Sequence, residues 1–247
     1  MTTYDSAGVS QKLGDDASKV LYEAAKLTWE NRKPLAMKKY ILFDHDGVLV
    51  DTEYWYFTAN KRALAELGIE LELALYLQNM TQGISAWDLA TAQGVDEAAI
   101  ERQRAQRDLY YQEYLQNEDI EIPGVEQALR GLSTHYRMAI ITTAKRVDFE
   151  LIHRHRNIVQ YMDFVLARED YDQAKPEPEP YLTGLAKFGG CPEEALVVED
   201  SERGLRSAVA AGIECAIVHN EFTKTHDFST ATYRIGSLDE LAALLQA

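Results

Sequence analysis

Short apolar runs alternate with helical patterns along most of the chain, and this alternation predicts an α/β fold. Continuous apolar runs are typical of strands that are covered on both faces, as in a parallel sheet. They occur at 40–43, 138–141, 164–166, 195–198 and 215–218. Helical patterns separate the later runs, at 125–132, 148–155, 179–188 and 204–211. We therefore expect right-handed strand–helix–strand units that build one open parallel sheet with helices on both faces.

The segment 53–122 has a different pattern, which is helical throughout. It contains no proline, whereas six prolines occur in the rest of the chain. Tyr54–Leu67 carries apolar residues at helical spacing and is followed by Gly68, a residue type that commonly ends a helix. Val95–Leu115 is rich in Ala, Gln, Glu and Arg, which favour helices. The sequence predicts an all-helical unit inserted after the first strand.

These patterns divide the chain into three parts. Residues 37–52 and 123–247 would form the α/β core, and 53–122 would form the helical insertion. Residues 1–36 stand apart, although Ser18–Trp29 within them has the pattern of an amphipathic helix. We interpret 1–36 as an N-terminal extension without a catalytic role.

Composition narrows the range of partners. The 247 residues include 25 Lys and Arg against 40 Asp and Glu, a formal charge of −15, which argues against binding to nucleic acid or to an anionic membrane. The two cysteines, Cys191 and Cys215, form neither a disulfide framework nor a metal knuckle. No apolar run approaches the ~20 residues that span a bilayer, and no secretion signal is evident. We expect a cytoplasmic protein, a monomer rather than an oligomer, that acts on a small molecule.

Two carboxylates follow the first apolar run, and they are the strongest local signal. Asp44 and Asp46 are two residues apart on an extended segment, so their side chains point the same way. They lie at the carboxyl end of the strand, where open α/β sheets bind ligands. Gly47 then allows the chain to turn away. The same pattern would also fit a calcium-loop fragment or a plain turn.

Three further groups of polar residues are candidates for the same site. Thr142 and Thr143 end the second run, and either could hold an anion or simply cap a helix. Lys175 lies in a proline-rich loop that could aim it at an anion, or it could be a solvated surface lysine. Glu199 and Asp200 end the fourth run, and their oxygens suit Mg²⁺, although Asp200 or Ser201 could instead cap the next helix.

The order of these four signals favours chemistry over four separate structural roles. The carboxyl ends of parallel strands meet at one edge of a sheet, so an acid pair, a hydroxyl, a lysine and a second acid pair would come together. A site that holds an anion between a metal-binding acid cluster and a lysine is typical of enzymes that act on phosphate groups.

With these motifs in order, residues 40–220 resemble the haloacid dehalogenase superfamily of hydrolases, and within it the phosphatases similar to β-phosphoglucomutase. The resemblance rests on Asp44-His45-Asp46-Gly47, Thr142, Lys175-Pro176 and Glu199-Asp200. It implies a Rossmann-like open parallel-sheet core, and it implies that 53–122 is a helical cap that closes over the site and selects the substrate.

The resemblance also implies a role for each matched residue. Asp44 would be the nucleophile that forms an aspartyl-phosphate, and Asp46 would be the general acid and base. Thr142 and Lys175 would complete the catalytic set. Phosphoryl and substrate oxygens would be bound by Thr142, Thr143, Ala144, Lys145 and Lys175. Mg²⁺ would be held by Asp44, the Asp46 carbonyl oxygen, Glu199 and Asp200.

The cap departs from the pattern of the sugar-phosphate mutases. These enzymes tend to carry an arginine after a Gly-hydrophobic-Ser turn, but here Gly83-Ile84-Ser85 is followed by Ala86. Lys145 is the remaining cationic candidate for binding the rest of the substrate. We therefore expect a Mg²⁺-dependent phosphatase that hydrolyses a small phosphorylated metabolite. A phosphomutase on the same machinery, or a phosphate-binding regulatory protein without turnover, are the alternatives.

Overall fold

The computed structural model describes residues 38–246, and a six-stranded, all-parallel sheet lies at its centre. The order of the strands in the sheet is β3-β2-β1-β4-β5-β6. The strands are β1 Tyr40–Phe43, β2 Arg137–Ile141, β3 Phe164–Leu166, β4 Ala195–Glu199, β5 Glu214–Val218 and β6 Tyr233–Ile235. The helix expected at Ser18–Trp29, and the role expected for 1–36, lie outside the described residues.

β1 is a central strand and pairs in parallel with both β2 and β4. Its last residue, Phe43, lies opposite Ile140 of β2 and Val198 of β4. This register brings the carboxyl ends of the three strands to the same edge of the sheet. Apart from their first residues, β1 and β2 are buried, and β4 is buried throughout, which explains their continuous apolar sequences. The predicted fold class, an open parallel α/β sheet with helices on both faces, is confirmed.

The inserted segment is helical in the described structure. Its helices are α1 Glu53–Ala65, α2 Leu73–Gln82, α3 Asp88–Ala92 and α4 Glu97–Asn117. The side chain of Asp96 caps α4 by accepting hydrogen bonds from two backbone N–H groups, and Gly83 ends α2 in the left-handed conformation. An apolar cluster that includes Phe57, Leu64 and Trp87 holds the helices together.

The core helices follow the strands of the sheet. They are α5 Val125–Leu132, α6 Arg146–His153, α7 Glu179–Phe188, α8 Glu202–Ala210 and α9 Leu238–Gln246, with short 3₁₀ turns at Ile158–Tyr161, Arg168–Asp170 and Pro192–Glu194. Residues of α7 and α8 pack with residues of β1, β2, β4 and β5 in one apolar cluster. No helix in the described range is both long and apolar enough to cross a bilayer.

The two segments that connect the insertion to the core lie side by side. The Asp51 N–H donates to the Ile120 carbonyl at 3.0 Å, and Val50 forms an antiparallel bridge with Glu121. A second apolar cluster, which includes Ala59, Leu115 and Ile152, packs α1 and α4 of the insertion against α6 of the core. The insertion is therefore attached to the core through the paired connecting segments and through packing against α6 and Phe222.

Candidate active site

Lys175 lies at the centre of a buried cluster at the carboxyl edge of the sheet. Its ammonium Nζ donates to Asp44 Oδ1 at 2.5 Å, to Glu199 Oε1 at 2.8 Å and to the Ile141 carbonyl at 2.9 Å. Asp44 follows β1, Glu199 ends β4 and Ile141 ends β2. One lysine thus joins the ends of three strands, because the register of the sheet places all three within its reach.

The cluster has two carboxylates, Asp44 and Glu199, for the single positive charge of Lys175. Burial and the neighbouring Glu199 carboxylate raise the pKa of Asp44 to about 7, despite the opposing charge of Lys175. Burial alone would lower the pKa of Lys175, but the two carboxylates outweigh it and raise that pKa. Burial opposes the ionisation of Glu199 too, yet Lys175 and several hydrogen bonds lower its pKa. Glu199 is therefore the charged partner of Lys175, and further positive charge nearby would favour the ionised form of Asp44.

Both carboxylate oxygens of Glu199 are engaged by the protein. Oε1 accepts hydrogen bonds from Lys175 and from the Tyr181 hydroxyl, the latter at 2.8 Å. Oε2 accepts from the N–H groups of Asp200 and Ser201 and from the Ser201 hydroxyl. A Cβ at Gly204 would lie 1.6 Å from Oε1, so only glycine leaves room for this carboxylate.

Three carboxylates could share a cation here. Asp44, Glu199 and Asp200 each offer an oxygen, and these oxygens lie within 4.8 Å of one another. Burial and the nearby Glu199 and Asp44 carboxylates raise the pKa of Asp200 well above its usual range, and Lys175 is the one described cation that pairs with any of the three. A site of three acids and one lysine, with oxygen donors, fits a divalent cation such as Mg²⁺.

Asp46 is held by hydroxyl and imidazole groups. The Thr52 hydroxyl donates to Oδ1 at 2.5 Å, and the Thr142 hydroxyl lies 3.4 Å from Oδ2. The His45 Nδ1 lies 3.3 Å from the same Oδ2. Burial would raise the pKa of Asp46, but His45 and the two hydroxyls outweigh it and lower the pKa to about 2. Asp46 is therefore ionised until a second negative charge comes close to it.

The contact between His45 and His153 could not be predicted from the sequence. Their Nε2 atoms lie 2.8 Å apart, so one imidazole donates and the other accepts. His45 is fully buried, and His153 is the last residue of α6. Burial, with His45 and Arg156 nearby, lowers the pKa of His153 to about 3. The residue between the two aspartates thus connects Asp46 to a core helix.

The loop after β2 places its predicted phosphate-binding residues around the site. The Thr142 hydroxyl accepts from the Ala144 N–H at 3.0 Å, and the Thr143 hydroxyl accepts from Arg203 at 3.4 Å. Neither threonine caps a helix, because α6 begins only at Arg146. The alternative interpretation of these hydroxyls as helix caps is therefore wrong.

Lys145 contacts the insertion rather than the acid cluster. Its ammonium Nζ lies 2.6 Å from Asp108 Oδ2 of α4, and its side chain is 51% exposed. The other oxygen of Asp108 accepts from Arg107 Nε at 2.9 Å. Two cations, one from the core and one from the insertion, therefore share a single carboxylate.

Arg107 also organises the inner face of the insertion. Its Nη1 donates to the Tyr56 hydroxyl at 2.7 Å and to Asn60 Oδ1 at 3.0 Å. The same Asn60 oxygen accepts from the Trp87 indole at 3.0 Å. Ala86, at the position where the mutases carry arginine, is buried in the apolar cluster of the insertion. A cation at that turn would have no place without a rearrangement of this cluster.

Sequence reasoning missed the groups that touch the motif residues from elsewhere in the chain. His153, Tyr181 and Asn220 carry no motif, and their contacts depend on tertiary structure. His45 alone had a signal, a polar ring between two aspartates in an otherwise apolar segment.

Comparisons with known proteins identify the family of this chain. Residues 41–218 match the family model for haloacid dehalogenase-like hydrolases. A phosphorylated carbohydrates phosphatase of Thermotoga maritima is 30% identical, over 73% of this chain and 85% of that protein. The protein CbbY of Rhodobacter capsulatus is 27% identical, over 83% of this chain and 95% of that protein.

Solved structures give the same fold. The crystal structure of CbbY from Rhodobacter sphaeroides in complex with phosphate has a TM-score of 0.72 at 23% identity, and the match covers 85% of this chain and all of that one. The expected enzyme class, a phosphoric monoester hydrolase, is confirmed by the family and by its named phosphatases. The chain belongs to the haloacid dehalogenase-like hydrolase family.

Proposed function

We propose that this protein is a Mg²⁺-dependent phosphatase that hydrolyses a small phosphorylated carbohydrate through an aspartyl-phosphate on Asp44. One observation carries the proposal. Lys175 binds one oxygen of Asp44 and leaves the other without a hydrogen bond among the described residues, beside the ionised Asp46 and the carboxylate of Asp200. The substrate class is supported by the relative named as a phosphorylated carbohydrates phosphatase.

The cation would be held by Asp44 and Asp200, together with the Asp46 carbonyl oxygen and Glu199. When bound, Mg²⁺ supplies positive charge that offsets the repulsion between a carboxylate and a phosphate dianion. Both oxygens of Glu199 already accept hydrogen bonds, so Asp44 and Asp200 have the more available oxygens.

Asp44 acts as the nucleophile because Lys175 fixes its orientation. With Oδ1 held by the lysine, Oδ2 is free to attack phosphorus and form the acyl phosphate. Thr142 and the N–H groups of the following loop bind the phosphoryl oxygens. Phosphoryl transfer has a loose transition state, so a fixed nucleophile and stabilised oxygens account for most of the acceleration.

Asp46 moves the proton. A phosphate dianion beside it raises its pKa by charge repulsion, so Asp46 gains a proton as the substrate binds. It then donates that proton to the leaving alkoxide oxygen. The regenerated carboxylate takes a proton from water, which attacks the acyl phosphate and releases inorganic phosphate. Hydrogen bonds from Thr52 and His45 keep this carboxylate in position for both steps.

The insertion, 53–122, would close over the substrate as a cap, while 37–52 and 123–247 supply the chemistry. Its Arg107 donates to the Tyr56 hydroxyl and shares the carboxylate of Asp108 with Lys145 of the core. Closure excludes water before the acyl phosphate forms and so favours transfer to Asp44.

The test is phosphate release from a panel of phosphorylated sugars, nucleotides and short acids, with Mg²⁺ or with a chelator. We expect activity that needs Mg²⁺, and an Asp44→Asn variant that loses on the order of 10³-fold or more because the nucleophile is gone. Asp172→Asn, at an exposed position in the described chain, is the matched control and should stay near wild type. Turnover that survives in a folded Asp44→Asn protein would contradict the mechanism.

Hydrolysis can be separated from phosphoryl return to the substrate. The enzyme is given a sugar monophosphate with the matching bisphosphate, and both products are followed. We expect free phosphate to form faster than the isomer, because Ala86 offers no second anion clamp at the turn after Gly83. Faster isomer formation would mean a mutase built on the same nucleophile.

A further inference from the structure

The segment that follows β5 contacts Asp200, one of the three clustered carboxylates. The side-chain amide of Asn220 donates from Nδ2 to Asp200 Oδ2 at 3.0 Å, and the same nitrogen lies 3.4 Å from the Gly47 carbonyl. The amide oxygen accepts from the Phe222 N–H at 2.8 Å. Asn220 therefore joins the loop that follows β1 to the carboxylate that follows β4.

The orientation of this amide is fixed by its partners. Because Oδ1 accepts a hydrogen bond from the Phe222 N–H, the amide nitrogen must face Asp200. In the reverse orientation the amide NH₂ would face the Phe222 N–H, and the amide oxygen would face the Asp200 carboxylate. One oxygen of Asp200 is thereby occupied. The hydrogen bonds of the described residues reach Asp200 at Oδ2, which leaves Oδ1 available to a ligand.

Close packing shows that this contact is part of the site. A Cβ at Gly47 would lie 2.2 Å from Asp200 Oδ2 and 2.5 Å from Asn220 Nδ2. Gly47 also has φ +79°, which favours glycine. The backbone at Gly47 thus lies close to both Asp200 and Asn220, and any side chain at this position would displace them.

A neutral donor suits the electrostatics of Asp200. A lysine at this position would neutralise the carboxylate and compete with a cation, as Lys175 does for Glu199. An amide orients the carboxylate and leaves its charge in place. Partners of this kind, which orient a metal ligand without binding the metal, commonly change metal affinity 10- to 100-fold when they are removed.

We propose that Asn220 is a positioning residue of the divalent-cation site, which turns Asp200 so that its free oxygen faces the cation. This inference rests on the proposed function, since that function places Mg²⁺ between Asp44 and Asp200. Asn220 itself touches neither the cation nor the substrate.

The experiment measures Mg²⁺ binding directly by titration calorimetry, without substrate, for the full-length wild type and for Asn220→Ala. We expect the dissociation constant to rise about 10- to 100-fold in the variant. The Mg²⁺ concentration for half-maximal phosphate release should rise by the same factor, whereas KM at saturating Mg²⁺ should change less than about threefold. A merely structural role would lower activity at every Mg²⁺ concentration instead.

Two further variants keep the test sharp. Asn220→Ser keeps a small polar side chain that is too short to reach Asp200, and it should weaken Mg²⁺ binding like the alanine variant. A cavity of about 350 Å³ borders Asn220, so either truncation removes atoms next to open space. Glu221→Gln, at an exposed position in the same loop, is the matched control and should keep the wild-type dissociation constant within about twofold.

Three results would contradict the proposed role of Asn220. Wild-type affinity in either folded Asn220 variant would overturn this inference and leave the proposed phosphatase intact. A wild-type protein that releases phosphate without binding Mg²⁺ would overturn both the inference and the proposed cofactor. A Glu221→Gln protein as weak as the Asn220 variants would show that the loop as a whole, and not the amide, governs Mg²⁺ binding.

Discussion

The polar side chains of the core site and those of the inserted helices are held by different kinds of partner. In the core, Lys175 is 2% exposed at its side chain and bonds three groups that end neighbouring strands. At the insertion, Lys145 is half exposed and bonds one carboxylate, Asp108, that belongs to a different part of the chain. The first set stays together as long as the sheet does, and the second separates whenever α4 moves away from the core.

This difference supports the different tasks that we propose for the two regions. Groups that must stabilise the same transition state in every turnover need a rigid frame, and the edge of a parallel sheet provides one. Groups that admit and recognise substrates need contacts that can be exchanged, and exposed ion pairs contribute only about 0–1 kcal/mol. The comparison can be tested by removing charges from each region in turn.

The largest effect is expected for Lys175→Met in the core. It leaves Asp44 and Glu199 as buried carboxylates without a cation, so the free energy of unfolding in a chelator should fall by about 3–5 kcal/mol. Phosphate release should fall on the order of 10²–10³-fold. Denaturant unfolding and an activity assay measure the two effects. Lys61→Met, at an exposed position in the insertion, should change stability by no more than about 0.5 kcal/mol. Equal losses in the two variants would remove the distinction between the regions.

A smaller effect is expected where the insertion meets the core. If Lys145 leaves Asp108 to bind the substrate, Lys145→Met should raise KM about tenfold, equal to 1.4 kcal/mol. Asp108→Asn should leave KM unchanged or lower it, because the variant frees Lys145. Steady-state kinetics on the best substrate give both values. If the two variants raised KM equally, the pair would serve to dock the cap and not to bind substrate.

The smallest effect concerns Glu53 at the start of α1. Burial and the charge of Asp46 raise the pKa of Glu53 to about 7, from a usual value of 4.5. Between these pH values the folded protein binds more protons than the unfolded chain, so this group lowers stability as the pH rises through that window.

Glu53→Gln should remove this pH dependence. The variant should be more stable than wild type by about 1 kcal/mol at pH 8 and by progressively less toward pH 4.5. Denaturant unfolding in a chelator across this range provides the measurement, and Glu72→Gln, at an exposed position, is the control. Parallel stability curves for wild type and Glu53→Gln would show that Glu53 ionises normally.

The sheet could be predicted from sequence because its strands are short and buried on both faces. All five apolar runs coincide with strands, whereas β6 was missed. β6 has three residues with the exposed Arg234 in the middle, and it lies at the edge of the sheet. An edge strand with one covered face alternates instead of forming a continuous run, and three residues are too few to show alternation.

The motif residues of the site could also be predicted, because each follows a strand and strand ends converge. Their supporting contacts could not. Asn220 follows β5 but stands alone as a neutral residue, with nothing in its local sequence to separate it from a turn. Arg107 lies among several charged residues of α4, and only the packing of α4 against α1 shows that it faces Tyr56 and Asn60. Such roles depend on tertiary geometry that one sequence does not contain.

The place of β1 in the sheet has a consequence for how the chain assembles. β1 precedes the insertion, yet both of its partners, β2 and β4, follow it. The entropic cost of closing a loop rises by about 0.6 kcal/mol for each doubling of its length, so helices that form early within the insertion shorten the effective loop and favour pairing. Until then β1 has two unpaired edges, a state that promotes aggregation. Substitutions that slow the formation of α1 and α4 would therefore lower the yield of soluble enzyme even where the folded protein tolerates them.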